Sequence, residues 1–334
     1  MRNTSCDTPP AAAVPAADPL RGFAVPPQDA RRLVALCRQY PRALDPDYGM
    51  ALPAAHRAAI DSFHARRSQL LRDVLGAGQP SSGETTRNAL PDVSHLRTQP
   101  DVLKHLLRTS SGVVVGEAHA SRASKRLLID HMRLLRTLGV DTLYLEHLQA
   151  DIHQADLDLL HQNAGLTLPL KQFLSDQDRG HMTDAASGAT FRAVVDAATR
   201  AGVRIVALDL MASYHLKGAK HEVTGDAHGD HLRTRVLNHV AAARIEHDQH
   251  RPGAGDRPRR WIALVGNTHA GTFDGIAGIA GRLGVPSMRV EDIHDANAPR
   301  LQAGIDPGLT VLPSALRAHG HLRCDYLLQV RSPT

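Results

Sequence analysis

The sequence predicts an α/β protein with a mainly parallel central sheet flanked by helices, preceded by a helical hairpin. Two observations support this fold class. Short runs rich in Val, Ile and Leu recur along the chain, and most of them are separated by amphipathic segments of helix length. This alternation is typical of β-α-β units. The runs cover residues 112–115, 141–145, 203–208, 261–265, 286–290 and 325–330.

Two of the intervening helices are well marked. Residues 121–138 and 189–201 place apolar side chains at three-to-four spacing on one face. Gly139 and Gly202 follow at the position where a glycine commonly ends a helix. A predicted strand begins directly after each glycine, so both helices connect neighbouring strands.

Residues 1–27 are predicted to form a disordered leader. They are rich in Ala, Pro, Ser and Thr, and such a composition buries too little apolar surface to offset the entropy of ordering. The segment lacks the basic start and continuous apolar stretch of a secretory signal, and it suggests an export signal of the type III kind instead. We expect that deletion of residues 2–27 leaves the melting temperature unchanged.

The rest of the chain divides into three predicted parts. Residues 28–76 contain two apolar helical patterns and form the helical hairpin. Residues 77–94 are rich in Gly, Ser and polar residues and form a linker. Residues 95–331 form the α/β domain.

Composition excludes several classes of function. The formal charge is +5, the basic residues are scattered among acids, and only 3% of residues are aromatic, so nucleic-acid binding is not expected. The sequence contains no uninterrupted apolar run of about 18 residues, so no transmembrane helix is predicted. The three cysteines lie far apart, which indicates neither a zinc knuckle nor a disulfide framework. Cys324 opens the last predicted strand, so we expect a buried structural thiol and not a nucleophile.

Four predicted strands end in polar residues. Because the carboxyl ends of parallel strands meet at one edge of a sheet, where ligands bind in such folds, we expect these residues to lie close together. Two of the ends are matching G-x-x-H turns. The residues are Glu117 and His119 in the turn 116–119, Glu146 and His147, Asp209, and Asn267 and His269 in the turn 266–269.

These residue types suit either a divalent-metal site or a general acid/base pair. His119 and His269 are candidate metal ligands or acid/base groups, and Glu146 is a candidate ligand or base. Glu117 could act as a ligand or a base, or could orient His119 as a base without a metal. We expect the glycine that opens each turn to permit the sharp bend that directs the histidine over the sheet edge.

Four further residues are candidates for substrate binding. Asn267 and Arg235 are candidate contacts for an oxyanion or a phosphate, and His147 lies beside Glu146 in the sequence. Asp209 suits either the site or the N-cap of a following helical turn.

The strand ends resemble the motifs of a superfamily that includes ChaN-like haem-binding proteins, Tiki and TraB proteins and, more distantly, erythromycin esterases. The resemblance rests on residues 113–119, 142–146 and 264–269. It implies the same parallel-sheet fold, but it leaves the reaction open. Tiki proteins are metal-dependent proteases, the esterases use a histidine base without a metal, and ChaN proteins bind haem.

A second resemblance is to the Tiki-like C-terminal domain of toxins and effectors of the Pasteurella multocida toxin type, on residues 116–126, 143–148, 153–157 and 213–218. It implies a toxin- or effector-type hydrolase of peptide, ester or phosphoester bonds. The implied cofactor is a divalent Mn, Co, Zn or Fe ion, with haem as the weaker alternative. The alternative function is a non-catalytic module that binds haem or a host protein.

The same resemblance bears on location and partners. It implies synthesis in a bacterial cytoplasm and secretion into a host cell by a non-Sec route, where the partner is a host target or a small-molecule substrate. In the related toxins a membrane-docking helical bundle precedes the domain. Here residues 28–75 provide only two helices, so peripheral membrane contact is a weaker expectation.

Overall fold

The chain folds around a seven-stranded sheet with helices on both faces. The structure is a computed structural model and describes residues 18–45, 52–76, 90–216, 231–250, 259–295, 297–311 and 320–331. Its helices are α1 Pro27–Gln39, α2 Ala54–Gly76, α3 Gln99–Thr109, α4 Arg122–Thr137, α5 Ala150–His161, α6 Leu168–Gly180, α7 Phe191–Arg200, α8 Met211–Tyr214, α9 Leu232–Gln249, α10 Asn267–Ala270 and α11 Ile279–Leu283. Its strands are β1 Gly112–Glu117, β2 Val140–Gln149, β3 Arg204–Asp209, β4 Arg260–Gly266, β5 Thr272–Phe273, β6 Ile276–Ala277, β7 Ser287–Asp292, β8 Leu301–Ile305, β9 Leu309–Val311, β10 Gly320–Arg323 and β11 Tyr326–Val330.

The main sheet has the strand order β3-β2-β4-β1-β7-β11-β8 and is parallel except for β8. All six apolar runs identified in the sequence form strands of this sheet, which confirms the predicted fold class. The strands β5, β6, β9 and β10 form a second, antiparallel sheet that the sequence did not reveal. They are only two to four residues long, too short for an alternating pattern to be recognised.

Burial on both faces explains the continuous apolar runs. Every residue of β1 is buried. Val113 and Val115 pack in the same cluster as Leu127 of α4, whereas Val114 packs in the opposite cluster with Ile245 of α9. A strand covered by helices on both faces needs apolar residues at every position.

The predicted leader differs from expectation at its C-terminal end. Leu20 and Phe23 are buried and pack against α2 and α9, and the Val25 N–H donates to the Asp151 carboxylate at 3.2 Å. The expectation of disorder is therefore wrong for residues 18–27, because a few apolar side chains are enough to anchor a segment of otherwise polar and Pro-rich composition. Deletion of residues 2–27 should accordingly lower the melting temperature, contrary to the expectation from the sequence. Residues 1–17 lie outside the described residues.

The two helices of the predicted hairpin are present as α1 and α2, which contact each other. Helix α1 also packs on α5, and α2 packs on α8 and α9. Of the predicted linker, residues 77–89 lie outside the described residues, and Val93 is buried in the main core. Among the described helices, none is both long and apolar enough to cross a membrane.

We predict that Leu20→Ala destabilises the protein by about 2–5 kcal/mol, because it removes a fully packed side chain. Leu20 is 2% exposed, whereas Leu168 is 77% exposed and provides a matched control. Leu168→Ala should change the free energy of unfolding by no more than about 0.5 kcal/mol. Urea unfolding of both variants measures the difference. Equal midpoints for Leu20→Ala and the parent chain would show that the 18–25 segment does not pack on the domain.

Candidate active site

A cavity of about 240 Å³ lies at the carboxyl ends of the parallel strands. It brings together five of the residues predicted from strand ends, which come from β2, from β3 and from the turns after β1 and β4. The residues that line it are His119, Glu146, His147, Gln149, Gln177, His181, Asp209, Tyr214, Arg233 and His269. Glu117 lies directly beneath His119, as its contacts below show.

Glu117 ends β1 as a carboxylate with no exposed side-chain surface. Its Oε2 accepts hydrogen bonds from Lys125 Nζ at 3.0 Å and from Ser124 Oγ at 2.8 Å. Lys125 is equally buried, and its ammonium also donates to the backbone carbonyls of His119 and Ser121 at 2.6 and 3.1 Å. Each charge of the buried pair is thus compensated by an opposite charge and by hydrogen bonds, which burial requires.

The other carboxylate oxygen of Glu117 holds two histidine rings. Its Oε1 lies 3.2 Å from His119 Nδ1 and 3.3 Å from His147 Nε2. Because a carboxylate only accepts hydrogen bonds, His119 Nδ1 is the donor in its bond to Glu117. His147 Nε2 also lies 3.0 Å from His119 Nδ1, so the two rings contact each other as well as the carboxylate. Burial opposes the charged form of Glu117, but the hydrogen bonds from the two rings, together with the charge of Lys125, hold the pKa of Glu117 well below its usual range.

Two carboxylates determine the direction of the pKa shift of His119. Burial alone would lower the pKa of His119, but the hydrogen bond to Glu117 and the nearby charge of Glu146 raise it above its ordinary value. Because Nδ1 of this ring faces Glu117, Nε2 lies on the opposite side of the ring, next to Gly266 and Glu146.

Glu146 lies in β2 and lines the cavity. Its carboxylate accepts a hydrogen bond from the Gly266 N–H at 2.6 Å. Its Oε1 lies 3.6 Å from His269 Nε2 and 3.9 Å from Arg233 Nη2. Burial opposes its ionisation, but the surrounding histidines and Arg233 lower the pKa of Glu146 to about 2. Burial lowers the pKa of His269 to about 4. His269 is therefore neutral at pH 7, and Arg233 is the lasting positive charge beside the ionised Glu146.

Asp209 and Arg233 form an ion pair on the wall of the cavity, with Arg233 Nη2 2.7 Å from Asp209 Oδ2. Asp209 also accepts the Leu210 N–H at 2.8 Å, but the residue at the N-cap position of α8 is Leu210. Arg233 lines the cavity, whereas the predicted Arg235 does not. Side chains two residues apart on a helix point in nearly opposite directions, about 200° apart. The sequence alone could not decide between Arg233 and Arg235, because this requires the rotation of α9 about its axis.

The two G-x-x-H turns interlock through their glycines. A Cβ at Gly116 would lie 2.9 Å from Asn267 Oδ1, and a Cβ at Gly266 would lie 3.1 Å from His119 Cε1. Neither glycine has a positive φ, so the expectation that they permit a sharp bend is wrong. They are needed because each turn places a side chain directly on the backbone of the other. Asn267 consequently packs on Gly116 and does not line the cavity.

Sequence reasoning missed several site residues. Ser124 and Lys125 lie in the first turn of α4, where two buried polar side chains interrupt the apolar face. His181 follows α6, and its ring centroid lies 4.5 Å from that of His119. Polar residues at an otherwise apolar helix start were the available signal for Ser124 and Lys125. Nothing in the sequence marks His181 among 21 histidines.

Two groups of donors could hold a metal ion. The first comprises Glu117, His119 and His147, whose donor atoms lie within 4.8 Å of one another. The second is the predicted set of His119, His269 and Glu146. In the second set the Nδ1 atoms of the two rings are occupied by Glu117 and by Asn238 Oδ1, at 3.2 and 2.8 Å. This leaves His269 Nε2 3.6 Å from Glu146 and His119 Nε2 beside Gly266, and outer partners of this kind are usual for metal-binding histidines.

The fold is shared with bacterial toxin domains. RRSP, an effector domain of a MARTX toxin from Vibrio vulnificus CMCP6, superposes with a TM-score of 0.53 at 20% identity over 80% of this chain and 55% of that one. The C-terminal region of Pasteurella multocida toxin gives a TM-score of 0.53 at 14% identity over 70% of this chain and 31% of that one. This chain thus spans about half of the first protein and less of the second. The predicted similarity of fold to toxin effector domains is confirmed.

Other comparisons add little. ChaN of Campylobacter jejuni, which binds haem, gives a TM-score of only 0.35 at 11% identity, over 70% of this chain and 91% of that one, so it supports no argument about haem here. No protein-family model matches the chain, and no curated protein sequence matches it.

A thiol-protease-like catalytic triad is described for the Pasteurella toxin region. In this chain Cys324 is 1% exposed, and burial raises the pKa of its thiol. It is the buried thiol that the sequence predicted.

We predict that Lys125→Met destabilises the protein by about 3–5 kcal/mol, because it leaves the buried Glu117 carboxylate without its counterion. Lys104 pairs with Asp101 at 3.7 Å, but its side chain is 53% exposed. Lys104→Met therefore provides a matched control and should cost no more than about 1 kcal/mol. Denaturant unfolding at pH 7 compares the two. A Lys125→Met variant as stable as the Lys104→Met variant would contradict the assignment of a buried ion pair.

Proposed function

We propose that this chain is a bacterial toxin- or effector-type hydrolase that activates water between His119, His269 and Glu146. The observation that best supports it is the arrangement around Gly266: His269 Nε2 lies 3.6 Å from the ionised Glu146, and His119 Nε2 and Glu146 both border Gly266, while the Nδ1 atom of each ring is already bonded. The toxin or effector assignment is supported by the shared fold, and the hydrolytic assignment is supported by the chemistry of the cavity.

The three groups suit different roles because their environments separate their pKa values. In the arrangement without a metal, His119 is the acid/base group, because its pKa is raised above the ordinary value while the pKa of His269 is lowered to about 4. His119 Nε2 takes a proton from the attacking water as the new bond to the carbonyl or phosphoryl centre forms. It then returns that proton to the leaving nitrogen or oxygen as the old bond breaks. Glu117 remains ionised and stabilises the imidazolium between these steps.

The charges of the site leave room for a cation. Glu117 and Lys125 cancel, whereas Glu146 and Asp209 share the single positive charge of Arg233. One further positive charge, either on His119 or on a metal ion, would balance the cavity.

The alternative is a metal centre: the donor set of His119, His269 and Glu146 fits a divalent Mn, Co, Zn or Fe ion. In that case His119 Nε2 would coordinate the ion and would not act as the base. The group of Glu117, His119 and His147 fits less well, because its carboxylate already lies 3.0 Å from the Lys125 ammonium. When bound, the ion would act as a Lewis acid that polarises the scissile carbonyl or phosphoryl group. Haem is disfavoured, since the cavity of about 240 Å³ lies below the range of about 300–1,000 Å³ that holds drug-sized ligands.

We predict that His119→Ala and Glu146→Gln each reduce activity about a hundredfold or more without unfolding the protein. Growth inhibition in yeast that express the full chain is one readout. Hydrolysis of p-nitrophenyl acetate, bis(p-nitrophenyl) phosphate and fluorescent casein tests ester, phosphoester and peptide bonds. His294→Ala and Glu246→Gln alter exposed residues of the same types and should leave both readouts unchanged. If a metal is used, chelation of the parent chain should reproduce the His119→Ala loss, and added Mn, Co or Zn should reverse the effect of chelation.

Two results would contradict the proposal. If His119→Ala and Glu146→Gln retain full growth inhibition while surface substitutions in α1 or α2 abolish it, the chain acts as a binding module. If chelation has no effect while both variants lose activity, the hydrolase works by acid/base chemistry without a metal, and that part of the proposal is wrong.

A further inference from the structure

The side-chain amide of Asn238 is buried on α9 between a backbone carbonyl oxygen and a ring nitrogen of His269. Its Nδ2 donates to the backbone carbonyl of Ala277 in β6 at 3.0 Å, and its Oδ1 lies 2.8 Å from His269 Nδ1. Asn238 has no exposed surface, so an amide there needs partners on both sides. The second, short antiparallel sheet supplies one partner, and the candidate active site supplies the other.

The Ala277 carbonyl fixes the direction of this amide. A carbonyl oxygen can only accept hydrogen bonds, so the amide NH2 must face it. The reverse orientation would place Asn238 Oδ1 about 3 Å from another acceptor, with no hydrogen between them. Asn238 Oδ1 therefore faces His269, where it can only accept.

This fixes the tautomer of His269. Because Asn238 Oδ1 has no hydrogen to give, the hydrogen of the 2.8 Å contact must be on His269 Nδ1. In the neutral ring the other nitrogen, Nε2, then bears a lone pair. That lone pair points towards the carboxylate of Glu146, 3.6 Å away.

Two acceptors that face each other in a buried site need a donor or a cation to bridge them. Arg233 Nη2 lies 3.9 Å from Glu146 Oε1, beyond hydrogen-bonding distance, and it is 2.7 Å from Asp209. A water that donates one hydrogen to each acceptor, or a metal ion that both coordinate, satisfies the pair.

We infer that Asn238 is a positioning residue that holds His269 in the Nδ1–H tautomer and thereby directs the Nε2 lone pair at Glu146. The consequence for catalysis rests on the proposed function, because there His269 contributes this lone pair to the water or the ion. The tautomer itself does not depend on what the cavity hydrolyses.

The test measures the His269 tautomer by 15N chemical shifts in the labelled, chelator-treated full chain at pH 7.5. The parent chain should show a protonated Nδ1 and an unprotonated Nε2. Asn238→Leu removes the acceptor and should shift the ring towards the Nε2–H form. Asn238→Asp retains an acceptor and should retain the Nδ1–H form, even though it loses the donor to Ala277.

Tyr144→Phe is the control for destabilisation alone. It removes a buried hydrogen bond to Asp248, at the far end of α9 from Asn238, and it should not change the His269 tautomer. An Nε2–H ring in the parent chain, or an unchanged Nδ1–H ring in Asn238→Leu, would overturn the inference. If Asn238→Leu does not fold, the parent and Asn238→Asp spectra still decide the matter, because an Nε2–H ring in either one overturns it.

The activity readout separates this inference from the proposed function. A kcat lower by about tenfold or more in Asn238→Leu, with less change in Asn238→Asp, supports both. A shifted tautomer with unchanged activity supports the role of Asn238 and counts against His269 as a catalytic group.

Discussion

A carboxylate with no contact with solvent stays ionised only where the protein replaces the water that it loses. Glu117 meets this condition through the ammonium of Lys125, the hydroxyl of Ser124 and the Nδ1–H of His119, with His147 Nε2 3.3 Å away. The same contacts fix His119. Its Nδ1 is committed to Glu117, so its Nε2 is left for the cavity. The position of the proposed acid/base group thus depends on a buried ion pair one layer beneath it.

The two G-x-x-H turns connect the position of His119 to that of Glu146 on a neighbouring strand. Strands β1 and β4 are hydrogen-bonded neighbours, with Glu117 opposite Gly266 in the register. Their G-x-x-H turns can approach because both glycines lack a Cβ, which brings His119 over the backbone of Gly266. The Gly266 N–H in turn donates a hydrogen bond to Glu146, which lies in β2 on the other side of β4. Three neighbouring strands therefore position one cluster of acid, base and carboxylate.

The sequence predicted what depends on local pattern and parallel topology. Strands covered on both faces are continuous apolar runs, and polar residues at their ends must meet at one edge, as His119, Glu146 and His269 do. It did not predict features that depend on tertiary contacts alone. Leu20 lies in a Pro-rich segment without periodicity, Lys125 is one basic residue among 39, and the roles of Arg233 and Asn238 follow from the rotation of α9. The sequence identified the two glycines of the turns. They are required because a Cβ would collide with the other turn, and not because of their backbone conformation.

The central claim is that Glu117 commits Nδ1 of His119 and leaves Nε2 as the titrating atom of the site. A 15N-detected pH titration of His119 in the chelator-treated full chain measures this directly. The account predicts that Nδ1 remains protonated throughout, while Nε2 loses its proton with a pKa above the ordinary value of 6.5. Burial opposes the charged ring, but the hydrogen bond to Glu117 and the charge of Glu146 favour it, and the net shift of the pKa of His119 is upward. A neutral ring protonated on Nε2, or a pKa below 6.5, would contradict the account.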